Sequence, residues 1–145
     1  MSLLALDPAT ITGWCTSTSS GIWNCTPKSY ESAGMKLIKF KSSLHELITK
    51  ERIRFVVYEK PGGRFYNGVR SHSNFEGVLI AYCEERDIDY KGYSAKEIKK
   101  FATGKGNCNK EKMIEAAQKY GIDIIDDNHA DALHLFYLAK KEFPL

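Results

Sequence analysis

Residues 124–141 read IIDDNHADALHLFYLAKK, and the fold turns on how this stretch is understood. Its apolar residues predict a helix over about 128–141, yet the segment opens on Asp126 and Asp127 and places Asp131 four residues further on. Acids at a helix start ordinarily serve the free N–H groups and the macrodipole there, so either Asp126 or Asp127 has a plain role as a cap. Asp131 fits that role less well. It directly precedes Ala132, Leu133, Leu135 and Phe136, so its carboxylate is directed toward packed structure, where a charge is costly unless something positive meets it.

Upstream, LLALD (3–7) is a short apolar run ended by an acid and a proline, the pattern of a buried strand. TGWCTST and GIWNCTPKSY alternate large or β-branched residues with small polar ones and predict two more strands joined by tight turns. Met35, Ile38, Leu44, Leu47 and Ile48 fall near helical spacing and predict a helix over 33–50. RIRFVVYEKPGG (52–63) then gives a fourth strand ending at Glu59, stopped by Pro61-Gly62-Gly63. Phe75, Val78, Leu79 and Tyr82 mark a helix over about 69–86, and DIDYKGY (87–93) is a weakly patterned fifth strand. Ser94 with Glu97 forms a capping-box pattern, while Asn109 and Gly121 bracket a further helix. Three strands, helix, strand, helix, strand and then helices, without repeats or linkers, make an α/β chain read as one domain over 1–145.

The totals agree with that reading. A chain of 145 residues with 43% hydrophobic and 27% charged content is globular in composition, and no segment is long and apolar enough to cross a membrane. The N-terminus lacks a basic leader, so a cytoplasmic location is expected. Cys15, Cys25, Cys83 and Cys108 are scattered, with no C-x-x-C pair and no histidine at zinc spacing, which favours free thiols. A net charge of +3 permits a nucleic-acid partner without demanding one. Distribution says more: Lys96, Lys99, Lys100, Lys105, Lys110 and Lys112 crowd one segment against only Glu97 and Glu111.

Asp7 closes the first strand, Glu59 closes the fourth, and Asp127 with Asp131 opens the last helix. If the first and fourth strands are neighbours, their two acids emerge side by side at one sheet edge, where open α/β sheets commonly bind ligands. Carboxylates that converge cannot all stay ionised unless a cation neutralises them, and hard oxygen ligands suit Mg²⁺ or Mn²⁺.

LLALDPATITGW (3–14), VVYEKP (56–61) and DDNHADALHL (126–135) resemble the motifs of RuvC-like Holliday junction resolvases, especially the small phage and viral forms, within the RNase H-like superfamily. AKEIKKFATGKGNCNKEK (95–112) resembles that family's basic segment, with Lys99 and Lys110 at the positions of its functional lysines. The resemblance implies a mixed five-stranded sheet flanked by helices and Mg²⁺- or Mn²⁺-dependent nicking of four-way DNA junctions. Two cations per active site would be held by Asp7, Glu59, Asp127 and Asp131, and Lys110 would neutralise charge on the phosphoryl oxygens. Lys96, Lys99, Lys100 and Lys105 would position the DNA backbone. The bacterial enzymes carry an acid or histidine three residues before the last aspartate, where this chain has Asn128. Asp127 is therefore taken as the ligand, Asn128 as a neutral ligand or bystander, and His129 as an exposed first-turn residue.

The loop PGGRFYNGVRSHSNF (61–75) carries Arg64, Phe65, Tyr66 and Arg70. It either stacks an aromatic on a base unpaired at the crossover or simply packs Phe65 on the domain. Trp14 and Trp23 are expected in the core, and His45, His72 and His134 lack ligand spacing. The near two-fold symmetry of a four-way junction calls for a homodimer, with Ile80 and Cys83 either at its interface or in the core. Three other readings stay open: a related nuclease acting on forks, flaps or RNA–DNA hybrids, a binding module without catalysis, and a fragment of a sugar-kinase-like ATPase. The last shares the D-x-x-x-x-T-G opening but lacks a convincing second phosphate loop.

Overall fold

The computed structural model describes residues 2–62 and 66–144, with backbone alone for residues 66–72. Five strands, β1 (Leu3–Asp7), β2 (Ile11–Cys15), β3 (Ser20–Asn24), β4 (Phe55–Glu59) and β5 (Asp89–Tyr93), form one sheet in the order β3-β2-β1-β4-β5. β1, β2 and β3 are antiparallel neighbours, whereas β4 and β5 add in parallel beside β1. Five α-helices accompany them: α1 (Met35–Glu51), α2 (Tyr66–Glu85), α3 (Ala95–Thr103), α4 (Lys110–Ala117) and α5 (Asp127–Glu142). No helix among the described residues is long and apolar enough to cross a membrane.

β1 is buried along its whole length because it lies at the centre of the sheet with helices on both faces, which explains its unbroken apolar run. Leu4, Leu6, Val56 and Tyr58 face α1 and α2 and meet Phe40, Leu44, Phe75, Leu79 and Tyr82. Leu3, Ala5, Val57 and Tyr93 face the other way and meet Ile98, Met113, Leu133 and Phe136 of α3, α4 and α5. The caps expected from sequence form: Ser94 Oγ accepts the Glu97 N–H at 3.1 Å, and Asn109 Oδ1 accepts the Lys112 N–H at 2.9 Å.

Packing departs from the expected pattern in two places. Ile38, assigned by spacing to the inner stripe of α1, is 57% exposed, because the stripe through Phe40, Leu44, Leu47 and Ile48 leaves position 38 on the opposite side. Cys83, expected either at an interface or in the core, is fully buried beside Tyr82 in the core, while Ile80 is half-buried. Trp14 and Trp23 are only half-buried; they stack with ring centroids 6.1 Å apart against the edge of the core on the α1 side. All four cysteines are free thiols. Arg64 and Phe65 lie outside the described residues, as do the side chains of Tyr66, Arg70 and His72.

β2 and the first turn of α5 approach each other closely at Gly13. A methyl group at Gly13 would overlap the backbone carbonyl of Asn128, so this position accepts only glycine without moving α5. Gly13→Ala is therefore expected to destabilise the protein by about 1–3 kcal/mol, the usual range for overpacking. Gly34→Ala, where nothing lies within 4 Å, should be close to neutral. Urea unfolding of the two variants gives the comparison.

Candidate metal centre

Asp7 and Glu59 reach the site from adjacent parallel strands. Leu6 is in register with Tyr58, so the residues that follow, Asp7 and Glu59, close the two strands side by side. The turn after Asp7 is tied down by Thr12, whose hydroxyl donates to the Ala9 carbonyl at 2.6 Å and accepts the Ala9 N–H at 3.3 Å. The Cys25 N–H adds a bond to the Thr10 carbonyl at 2.7 Å. Beyond Glu59, the Lys60 N–H donates to the Tyr93 carbonyl at 2.7 Å, and the Tyr58 hydroxyl donates to Glu76 Oε2 at 2.7 Å, linking β4 to β5 and to α2.

The third arm comes from α5. Asp126 is the N-cap, its Oδ1 accepting the His129 N–H at 2.8 Å, so the bland role belongs to this acid alone. Asp127 sits in the first turn and Asp131 one turn later. Carboxylate oxygens of Asp7, Glu59 and Asp131 lie within 4.8 Å of one another. Asp7 is only 5% exposed. Two ionised carboxylates at that separation repel by about 3–4 kcal/mol at an effective dielectric of ~20, so the group cannot stay fully charged by itself.

The acidities report the same strain. Burial, followed by Glu59, Asp131 and Asp127, drives Asp7 well above the ordinary carboxylate range. Burial, followed by Glu59 and Asp127, pushes Asp131 up to about 8, while Asp7 and Lys99 oppose the shift. Glu59 is also raised, by burial first; Lys99 opposes the shift and Asp127 adds to it.

Asp127 stays outside the tight trio. Its Oδ2 lies 3.6 Å from the Lys110 ammonium, whose side chain is 82% exposed, so the pair adds little stability. Lys99 is half-buried and close enough to favour the charged forms of Glu59 and Asp131, which brings it nearer the carboxylates than a remote backbone contact would require. Lys96, Lys100 and Lys105 are exposed, with the Lys96 stem against Gly106.

His129 is the clearest correction. Expected in solvent, it is 1% exposed: its Nδ1 accepts the Ile125 N–H at 3.0 Å, which leaves Nε2 to donate to Ser20 Oγ at 2.9 Å. Burial lowers its pKa, consistent with a neutral ring wedged between the start of α5 and β3. Gly13, Ser20 and His129 thus set where Asp127 and Asp131 sit, and Thr12 fixes the turn after Asp7, although none of the four is acidic. The only sequence sign was the T-G pair. His134, in contrast, donates from Nε2 to the Met113 carbonyl at 2.9 Å and meets the Tyr120 hydroxyl at 2.9 Å inside the helical layer.

A mixed five-stranded sheet with helices on both faces and an acid trio at the ends of its two central parallel strands defines an RNase H-like α/β fold. Within that class the chain's fold is similar to those of solved RuvC structures. Its fold matches RuvC of Thermus thermophilus in complex with Holliday junction substrate, with a TM-score of 0.75, 16% identity, and 98% of this chain and 96% of that one covered. A second RuvC structure from Thermus thermophilus gives a TM-score of 0.70 at 16% identity over 97% of both chains. The yeast mitochondrial Holliday junction resolvase Ydc2 gives 0.59 at 16% identity, over 92% of this chain and 76% of that one. In sequence, the chain is 38% identical over 58 residues to the crossover junction endodeoxyribonuclease RuvC of Brachyspira hyodysenteriae. That match spans 39% of this chain and 36% of the relative's length. No family model matches.

The raised acidities have a measurable consequence. Asp131 moves from an ordinary 3.8 to about 8, so the folded chain holds a proton that the unfolded chain releases. Its stabilising contribution is complete below the ordinary value and is lost as pH rises through the folded one. The melting temperature of the chelated protein should therefore fall between pH 5 and pH 8.5, Asp131→Asn should flatten that fall, and Mg²⁺ should offset more of it at higher pH. Scanning fluorimetry with EDTA or Mg²⁺ provides the check.

Proposed function

We propose that this chain is a metal-dependent endonuclease that nicks Holliday junctions and related branched DNA. The observation that carries the reading is the trio Asp7, Glu59 and Asp131, with oxygens within 4.8 Å at the strand ends of a RuvC-like sheet. The donor set fits a hard divalent cation: only carboxylate oxygens converge, they are too crowded to ionise together, and Lys99 alone does not balance them. Asp7, Glu59 and Asp131 would hold Mg²⁺ or Mn²⁺, with Asp127 completing the charge, since four carboxylates balance two divalent ions. Bound metal would supply Lewis-acid chemistry, lowering the pKa of water and stabilising charge on the phosphoryl and leaving oxygens.

The remaining work belongs to the side chains. Asp7, buried and facing both Glu59 and Asp131, would be the central ligand and would serve in its carboxylate form. Lys110, exposed beside Asp127, offers a mobile point charge to a phosphate drawn to the trio, and Lys99 limits repulsion in the ground state. Lys96, Lys100 and Lys105 hold the sugar–phosphate backbone without reading sequence. A homodimer would present two such sites to the two strands that must be nicked.

Asp7→Asn and Glu59→Gln keep side-chain volume but remove charge, and each should lower cleavage of a synthetic four-way junction by on the order of a thousandfold while junction binding persists. Ca²⁺ should support binding with little cutting, because its longer and looser coordination fails to align the displacement. Near-normal nicking by either variant, or full activity in chelator, would refute the metal mechanism.

The second test concerns the start of α5. Asp127→Asn should lower the cleavage rate by roughly ten- to a hundredfold, because it removes a charge that acts on Asp7, Glu59 and Asp131 together. Asn128→Ala should change it less than about threefold, since the backbone carbonyl that packs against Gly13 is kept and no charge is removed. Single-turnover nicking assays rank the two, and the reverse order would give the ligand position to Asn128.

A further inference from the structure

The carboxylates have a basic flank on one side only, if the lysines of α3 and α4 are the whole of the DNA surface. These helices cover one face of the sheet, whereas α1 and α2 cover the other. The segment that guards the second side is residues 25–34, between β3 and α1. Asp7 is in register with Gly13 and Gly13 with Ile22, after which β3 continues for two more pairs, to Asn24 opposite Ile11. The loop therefore leaves the sheet beyond the level of Asp7, on the catalytic edge, about 10 Å to the side at ordinary strand spacing.

This loop is braced more than its surface position demands. The Cys25 N–H bonds to the Thr10 carbonyl, in the turn just after Asp7, at 2.7 Å, and Asn24 Oδ1 accepts the Thr26 N–H at 3.0 Å. Glu31 Oε1 takes the Lys28 N–H at 2.7 Å, and the same oxygen meets the Lys39 ammonium at 2.8 Å. Lys39 also donates to the Thr26 carbonyl at 3.4 Å. The one acid of the loop is thus neutralised from within. What the brace presents outward is Tyr30, 79% exposed, with the Lys28 ammonium 5.9 Å from its ring centre. A cation and a phenolic hydroxyl on a pre-organised loop match a phosphodiester backbone, which takes hydrogen bonds from Lys and Tyr side chains without regard to sequence.

We propose that the 25–34 loop is a second DNA grip, in which Lys28 and the Tyr30 hydroxyl hold the sugar–phosphate backbone of a junction arm on the side of the carboxylates away from α3 and α4. The inference rests on the reading of the chain as a nuclease for branched DNA and adds the path of the arm. A duplex is broader than the separation between the loop and the trio, so an arm whose phosphate enters the site spans both flanks. Neither residue belongs to the metal centre, and both are exposed, so changing them should leave folding and the chemical step intact.

The test uses the full chain in Ca²⁺, with a labelled four-way junction followed by fluorescence anisotropy across a salt series. Lys28→Ala should weaken binding by roughly three- to tenfold and reduce the slope of log affinity against log salt by about 0.9, the effect of one lost phosphate contact. Tyr30→Phe should weaken binding by about threefold, close to Tyr30→Ala, if the hydroxyl makes the contact. Melting temperature, and the Mg²⁺-dependent nicking rate at saturating protein, should match the unaltered chain. Unchanged affinity and salt slope in Lys28→Ala overturn the grip, and so does a Tyr30→Phe variant that binds normally while Tyr30→Ala does not, since that pattern belongs to stacking on a base. If the unaltered chain fails to bind any branched DNA, the nuclease reading itself falls and takes the grip with it; normal wild-type binding with indifferent variants removes the grip alone.

Discussion

Mutual repulsion among Asp7, Glu59 and Asp131 is the constraint on which the rest of the structure depends. Their oxygens lie within 4.8 Å of one another, with Asp7 buried and Glu59 and Asp131 half-buried, and only a proton or a cation makes that arrangement tolerable. A chain that folds with such a cluster must hold its arms from outside. It does so with short bonds and close contacts: Thr12 across the turn after Asp7, Lys60 to Tyr93 beyond Glu59, and Gly13 and His129 against the first turn of α5. None of these contacts is acidic, and each sets the position of an acid.

The same constraint orders the lysines. Charge near the trio is useful in proportion to how little water screens it, so half-buried Lys99 acts on Glu59 and Asp131, while Lys110, largely in solvent, pairs with Asp127. The exposed members of the segment have no carboxylate of the trio to answer and are left facing outward. A run that looks uniform in sequence is therefore graded in space. Fold similarity to RuvC of Thermus thermophilus over 98% of this chain at 16% identity is understandable on the same ground, because few positions bear the constraint and the rest need only fill two apolar layers.

Much of this was legible without coordinates where the signal is local. The unbroken run LLALD announces a central strand, Ser94, Asn109 and Asp126 announce helix starts, and Asp131 stands out because a charge precedes an apolar stripe without a local reason. These features depend on chemical identity within one turn or strand, and that is written directly in the chain. The acids at the ends of two strands could likewise be nominated, though only on the condition that the strands are neighbours.

Tertiary structure decided what depends on partners distant in sequence. The parallel pairing of β1 with β4 turns two separate acids into a pair, and it is a choice of sheet order that periodicity does not encode. His129 is buried because Ser20, 109 residues away, meets its ring, so no inspection of its neighbours in the chain could place it. Ile38 leaves its expected surroundings because burial is set by which side of a helix meets the sheet, and a nearly apolar stripe leaves that rotation ambiguous. Asp127 and Asp131, equivalent as letters, become different as groups: one pairs with an exposed lysine, and the other completes a trio around buried Asp7 whose acidity is set by two strands that the helix meets only on folding.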